Sequence, residues 1–99
     1  MYQTFLDERI GKSFRRYSKA NRARVDRVRE LFEEKGFNLS EIYLKKITQR
    51  IWELRSGPVR LLFGVIENKA IIVNIFLKKT TKTPLKDIRL AEKRFEEQL

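Results

Sequence analysis

The sequence has no cysteine and no histidine. Without thiols there is neither a disulfide framework nor a thiolate zinc site, so stability rests on a hydrophobic core, and a reducing cytoplasm suits the chain. Without imidazole it lacks the side chain whose ordinary pKa lies nearest neutrality, and with it the most common general acid and base. Only 4 glycines and 2 prolines punctuate the 99 residues. No linker, repeat or low-complexity tract divides them, and one domain over 1–99 is expected. The longest apolar run, Ala70 to Leu77, is interrupted by Asn74 and falls far short of the ~20 residues that cross a bilayer as a helix. The opening Met-Tyr-Gln-Thr-Phe-Leu-Asp-Glu-Arg is not a basic region followed by an apolar stretch, so export is not expected.

Positive charge is abundant. With 23 Lys plus Arg against 13 Asp plus Glu, the formal charge is +10, a field that attracts nucleic acid, acidic lipid or an acidic partner without choosing among them. An apolar fraction of 41% beside a charged fraction of 36% describes a folded domain with a heavily charged exterior.

Tyr2 to Leu6, aromatic and Thr-bearing, fits a short first strand. Ile10, Phe14 and Tyr17 recur at helical spacing, so Arg9 to Tyr17 is expected to be a helix with a basic outer face. Ser18 can cap a second helix that carries Val25, Val28, Leu31 and Phe32 on one side and stops at Gly36, giving an αα-hairpin. Asn38 to Lys46 has no clean period and reads as a connection anchored by Leu39, Ile42 and Leu44,.

Ile47 to Arg55 is expected to be a strand ending at the Ser56-Gly57-Pro58 turn,. Val59, Leu61, Phe63 and Val65 then alternate with Arg60, Leu62, Gly64 and Ile66, which directs Arg60 away from a fully apolar face. After a turn at Glu67-Asn68-Lys69, Ala70 to Leu77 is apolar on both faces and suits the centre of a sheet. Thr83 and Pro84 have the chemistry of an N-cap and first helical position for a terminal helix carrying Leu85, Ile88, Ala91 and Phe95,. The expected fold is α+β: a short amino-terminal strand and an αα-hairpin packed on a mainly antiparallel sheet, with a carboxyl-terminal helix.

This order, with Ile51-Trp-Glu-Leu-Arg55, then Val59-Arg60 before apolar residues, then Phe76-Leu-Lys-Lys-Thr-Thr-Lys-Thr-Pro84 and the Ala91-Glu-Lys-Arg94 helix, resembles the RelE/ParE toxin superfamily and its phage-derived HigB-like branch. The carboxyl-terminal half carries the likeness; the first half shares only the helical hairpin and the basic character. The resemblance implies a RelE-like fold and a toxin of a type II toxin-antitoxin system. Such a toxin is held inactive by a cognate antitoxin, often a helix-turn-helix HigA-like protein. Once released in the cytoplasm it acts with the ribosome as an endoribonuclease on mRNA, without cofactor or metal.

Cleavage of that kind makes a 2′-hydroxyl attack the adjacent phosphate, so a site must hold extra negative charge and assist two proton transfers. Arg60 occupies the place where relatives put a phosphate-contacting arginine. Arg55 ends the preceding strand, and antiparallel pairing brings it near Arg60, two forked donors suited to a phosphate. Lys79 completes the expected catalytic set, and either it or Lys78 becomes a proton donor if desolvation lowers its pKa. Lys78, Lys82, Lys45 and Lys46 are expected to bind RNA phosphates. The competing reading of these residues is a solvated basic rim that keeps the protein soluble. Arg15, Arg16, Arg22, Arg24, Arg27 and Arg29 suit ribosomal RNA, or simply the exposed face of two amphipathic helices. Trp52 is expected in the core rather than stacked on a base.

The tyrosines are Tyr2, Tyr17 and Tyr43, none in the carboxyl-terminal segment where several relatives carry a catalytic aromatic or imidazole, so the general acid and base stay unassigned. That gap gives weight to a second function, a non-enzymatic inhibitor of DNA gyrase like the ParE branch. A third, a simple RNA-binding module, lacks a Gly-rich backbone clamp or paired stacking aromatics.

Overall fold

The computed structural model describes all 99 residues, Met1–Leu99. Strand β1 (Gln3–Leu6) leads through a 3-10 turn (Glu8–Ile10) into the short helix α1 (Gly11–Arg15), followed by helix α2 (Lys19–Lys35). The continuous helix expected over Arg9 to Tyr17 is therefore broken. Asp7 accepts the Arg9 N–H at 2.9 Å and Ser13 donates back to the Ile10 carbonyl at 3.0 Å, local bonds that favour a tight turn over a regular helix start. Helix α2 begins as expected, with the Ser18 hydroxyl accepting the Asn21 N–H at 3.1 Å,. It ends at Gly36, whose φ of 56° suits glycine and whose missing Cβ would stand 3.1 Å from the Tyr2 ring,.

Four more strands and a helix follow: β2 (Leu44–Lys46), β3 (Trp52–Ser56), β4 (Val59–Ile66), β5 (Lys69–Leu77) and α3 (Leu85–Gln98). They form one five-stranded sheet in the order β1-β5-β4-β3-β2. Only the β1–β5 pair is parallel. The α+β expectation holds, yet β2 lies inside what reads as a connection. Three residues are too few to show a period, and pairing with Leu54, Glu53 and Trp52 is what makes them a strand. Of its supposed anchors Leu44 is buried, while Ile42 is 75% exposed. Strand β3 starts at Trp52 rather than Ile47, because the Ile47 and Thr48 N–H groups both close a turn on the Ile51 carbonyl.

The sheet is covered on both faces. Val25, Val28 and Phe32 of α2 pack with Leu54, Leu61, Phe63 and Ile72 on one side, while Ala91 and Phe95 of α3 pack with Ile51, Leu62 and Val73 on the other. Gly64 sits directly beneath the Phe95 ring, where a Cβ would meet carbon at 2.5 Å. A bulge in β5 opposite Leu62/Phe63 turns the consecutive residues Val73 and Asn74 toward α3, since the extra residue offsets the alternation. Asn74 then donates to the carbonyl and carboxylate of Asp87 at 3.2 and 3.1 Å, fastening β5 to the first turn of α3.

Two expectations for α3 are corrected. Pro84, not Thr83, is the N-cap residue, and it supplies no side-chain cap; the Thr83 hydroxyl is taken by Glu53 instead. Leu85 is 57% exposed, and the buried residues of α3 are Ala91 and Phe95 further along. No helix is long and apolar enough to cross a membrane.

Candidate functional site

The β3–β4 register sets the geometry. Arg55 pairs with Arg60 and Glu53 with Leu62, so alternation turns Glu53, Arg55 and Arg60 to the face that α3 covers. Strand β5 ends beside them, where the Lys78 N–H donates to the Pro58 carbonyl at 2.7 Å. The chain from Lys78 to Pro84 then crosses the end of the sheet to reach α3. Within it the Thr80 hydroxyl donates to the Lys82 carbonyl at 2.7 Å and holds a bend. The cleft between this segment and the strand ends is lined by Glu53, Arg55, Arg60, Phe76 and residues 78–84.

Glu53 forms the floor. It is 1% exposed, a position in which an unpaired carboxylate would cost several kcal/mol. Arg55 Nε donates to its Oε1 at 2.9 Å, the Thr83 hydroxyl donates to its Oε2 at 2.6 Å, and Arg60 Nε lies 4.0 Å from Oε1. The carboxylate therefore ties β3 to the crossing segment and sets the aim of Arg55. Arg60 is fixed from its other side, its Nη1 donating to the Gly57 and Val59 carbonyls at 2.7 and 3.0 Å. Burial pushes the Arg60 guanidinium below its ordinary pKa; Glu53 opposes that shift and Arg55 adds to it. The expectation that Arg60 points away from the apolar core under α2 agrees with the register, but its side chain is only 12% exposed, because the other face of the sheet is covered too.

Arg55, Arg60, Lys78, Lys79 and Lys82 thus converge on one cleft. Lys45 and Lys46 do not. They line a separate hollow with Phe37 and Trp52 that meets the cleft only through Arg55. Lys46 Nζ lies 5.5 Å from the Trp52 ring centre, and Trp52 itself is half-buried, edge-on to Phe37 at 4.8 Å. On the hairpin, Arg29 is not a free cation, since it donates to the Thr4 hydroxyl and carbonyl at 3.0 and 3.2 Å. Arg15, Arg16, Arg24 and Arg27 are exposed.

A cleft between β3, β4 and the segment after β5, built on a helical hairpin and this sheet, can be compared with known proteins. The family described as phage derived protein Gp49-like matches residues 12–96. The chain belongs to that family. No curated protein matches the sequence. Among solved structures, the crystal structure of the isolated E. coli RelE toxin is similar over 100% of both chains, with a TM-score of 0.64 and 14% identity. At that identity the likeness establishes the shared RelE fold. That fold is the one the resemblance to the RelE/ParE superfamily implies.

In this Gp49-like chain the residue that sequence reasoning passed over is Glu53. It stands inside the motif that carries the resemblance, yet a single Glu in a strand reads as solvated. The available signal was its spacing: Glu53 and Arg55 are two apart, hence on one face of a strand, and that face continues into Arg60 across the turn. Thr83, placed like a helix cap beside Pro84, gives no sign in the sequence of its part in the same network.

Proposed function

We propose that this protein is the toxin of a type II toxin-antitoxin system and that it stops translation by cleaving mRNA on the ribosome. The observation that carries the reading is the convergence of five cationic side chains over one buried carboxylate in a single cleft. A phosphate entering it meets guanidinium groups from two adjacent strands and ammonium groups from a third segment. That arrangement stabilises the added negative charge of a pentavalent phosphate more than it stabilises the ground state. Arg60 and Arg55 hold the scissile phosphate, with Arg60 already oriented by two carbonyls. Lys79 neutralises developing charge, and Lys78 and Lys82 guide the flanking phosphates. Lys45 and Lys46 extend the track beyond Arg55. The partners are an antitoxin of the helix-turn-helix, HigA-like kind, the ribosome and mRNA. The site of action is the cytoplasm, and the chemistry calls on no cofactor or metal.

The cleft lining carries no phenol and no imidazole. That one observation favours the alternative of a ParE-like protein that binds DNA gyrase without chemistry. Expression of the chain in cells, with messenger ends mapped and gyrase supercoiling assayed in parallel, separates the two. New RNA ends with intact supercoiling are the expected result; unchanged RNA with lost supercoiling replaces the enzyme reading with the gyrase one. Arg60→Ala is expected to abolish both growth arrest and the new RNA ends.

A further inference from the structure

The sheet has two outer strands, but its free backbone is not confined to them. Strand β1 covers β5 only from Lys69 to Ile72, and the Asp7 N–H bonded to the Ile72 carbonyl is its last contact. Beyond that point the outer edge of β5 has no strand beside it. On the inner side the Lys78 N–H reaches the Pro58 carbonyl. By the alternation of antiparallel ladders, Phe76 and Asn74 therefore also face β4, while Ile75 and Leu77 turn their N–H and C=O groups outward. None of the backbone or side-chain hydrogen bonds outside the ladders reaches those four groups.

The neighbouring edges are treated differently. On β1, Glu33 accepts the Thr4 N–H at 3.0 Å and Arg29 donates to the Thr4 carbonyl at 3.2 Å, closing that edge with side chains. On β5, Arg94 donates to the Val73 carbonyl at 2.9 Å, and there the protection stops. A hollow opens at this place, lined by Tyr17, Ile75, Leu77, Pro84, Lys86 and Asp87 and continuous with the cleft through Phe76, Lys79 and Thr80.

We propose that the Ile75–Leu77 edge takes an added strand, an extended segment of a protein partner with apolar and acidic side chains in alternation. Outward donors and acceptors at the strand repeat are matched by another peptide backbone. A ribose-phosphate chain has 2′-hydroxyl donors, but it does not alternate donor and acceptor at the two-residue spacing of a strand edge. Apolar side chains of the segment meet Tyr17, Leu77 and Pro84. Acidic ones meet Lys79 and Lys86, both exposed, and gain from the +10 charge of the whole chain; they keep clear of Asp87, whose Oδ1 is held by Asn74. A segment running on past Leu77 lies over Lys79 and Thr80 and shuts the cleft. This last consequence, neutralisation, rests on the toxin reading; the added strand itself does not.

Amide hydrogen exchange on the folded protein tests it. In the free protein the Ile75 and Leu77 amides should exchange at least about tenfold faster than those of Asn74 and Phe76. A short synthetic peptide of alternating Glu and Val should slow them by about tenfold. The same peptide N-methylated at every residue, which can donate along neither edge, should leave them unchanged, as should a short oligouridylate. Leu77→Pro removes an outward N–H while sparing the inner ladder, and should weaken the peptide's effect with little change in the circular dichroism of the free protein. Protected amides in the free protein, equal slowing by the N-methylated peptide, or slowing by the oligouridylate instead of the peptide would each overturn the proposal. These readouts are independent of RNA cleavage and of gyrase, so failure of the toxin reading would leave them standing.

Discussion

Under α2 the sheet presents Leu54, Val59, Leu61, Phe63, Ala70 and Ile72, all buried and all apolar, with buried Thr4 of β1 the polar exception, its hydroxyl bonded to Glu33 and Arg29 of α2. Under α3 it presents Leu62 and Val73 among buried Glu53 and Asn74 and the half-buried Arg60. Buried apolar area stabilises without needing a partner. Every polar group on the second face needs one: Arg60 finds carbonyls within three residues, whereas Glu53 and Asn74 also draw on Thr83 and Asp87 from far along the chain. The first face is where the fold gets its stability. The second spends part of its interior on holding charges in place at one end of the sheet, and the cleft lies at that end.

The contrast is broken most directly from the apolar side. Phe32 is fully buried and touches Tyr2, Phe37 and Phe63 edge-on or tilted, so Phe32→Ala is expected to cost about 3–5 kcal/mol. Denaturant unfolding measures that loss, and growth arrest should fall only as far as the folded population falls.

On the polar side, Glu53→Ala leaves Arg55 and Arg60 without their carboxylate and Thr83 without its acceptor, at a cost of about 3 kcal/mol. Glu53→Gln keeps an acceptor for Thr83 and should cost roughly half as much, while still loosening Arg55. Comparing the two by thermal unfolding separates the charge from the hydrogen bond. Equal losses would mean that the charge carries the whole effect and the retained acceptor contributes nothing.

Gly64 probes the packing beneath α3. Gly64→Ala drives a methyl into the Phe95 ring, and overpacking of this kind costs about 1–3 kcal/mol. The variant is expected to lose stability but not RNA-end formation in the cells that still contain folded protein. Arg60→Ala should do the reverse. Its guanidinium is disfavoured by burial, so removing it offsets the two lost carbonyl bonds, and the stability change is expected to stay within about 1 kcal/mol while function disappears. A large unfolding shift would show that Arg60 is chiefly a structural cation.

The smallest effect concerns acid. The Arg9 guanidinium, through its hydrogen bonds, holds the Asp7 carboxyl below its usual range, against the opposing pull of burial. A carboxyl with a depressed folded-state pKa stabilises the protein above its unfolded value of ~3.9 and loses that contribution as pH falls through the folded value. Asp7→Asn should therefore lower stability near pH 7 by under about 1 kcal/mol, since Arg9 is half exposed and solvent screens the pair. The gap to the natural protein should narrow as pH falls below the unfolded value and close once pH has passed the depressed folded one, as urea titrations across pH will measure,.

Much of this arrangement was legible in advance where local chemistry dominates. Ser18 and Gly36 bound α2, and the alternation through Val59–Ile66 makes β4, because caps and side-chain period act over a few residues. The pairing of Arg55 with Arg60 followed from the turn between them. The break in the first helix, the strand β2 and the start of β3 were not legible. Each depends on a specific hydrogen bond or on a partner strand, and three residues such as Leu44–Lys46 show no period of their own. Lys45 and Lys46 share charge but not position with the other lysines, and charge has no direction in a sequence.

From the sequence alone come the basic charge, the types of the longer elements and the shared strand face of Glu53 and Arg55, all properties of composition or of spacing along one segment. Tertiary structure decided that α3 covers the second face, that the Lys78–Pro84 segment folds over Arg55 and Arg60, and that Glu53 and Thr83 meet there. It also decided that β1 stops short and leaves Ile75 and Leu77 unpaired. Those are matters of register and of contacts between residues distant in the chain, settled by which surfaces bury together rather than by what any one stretch prefers.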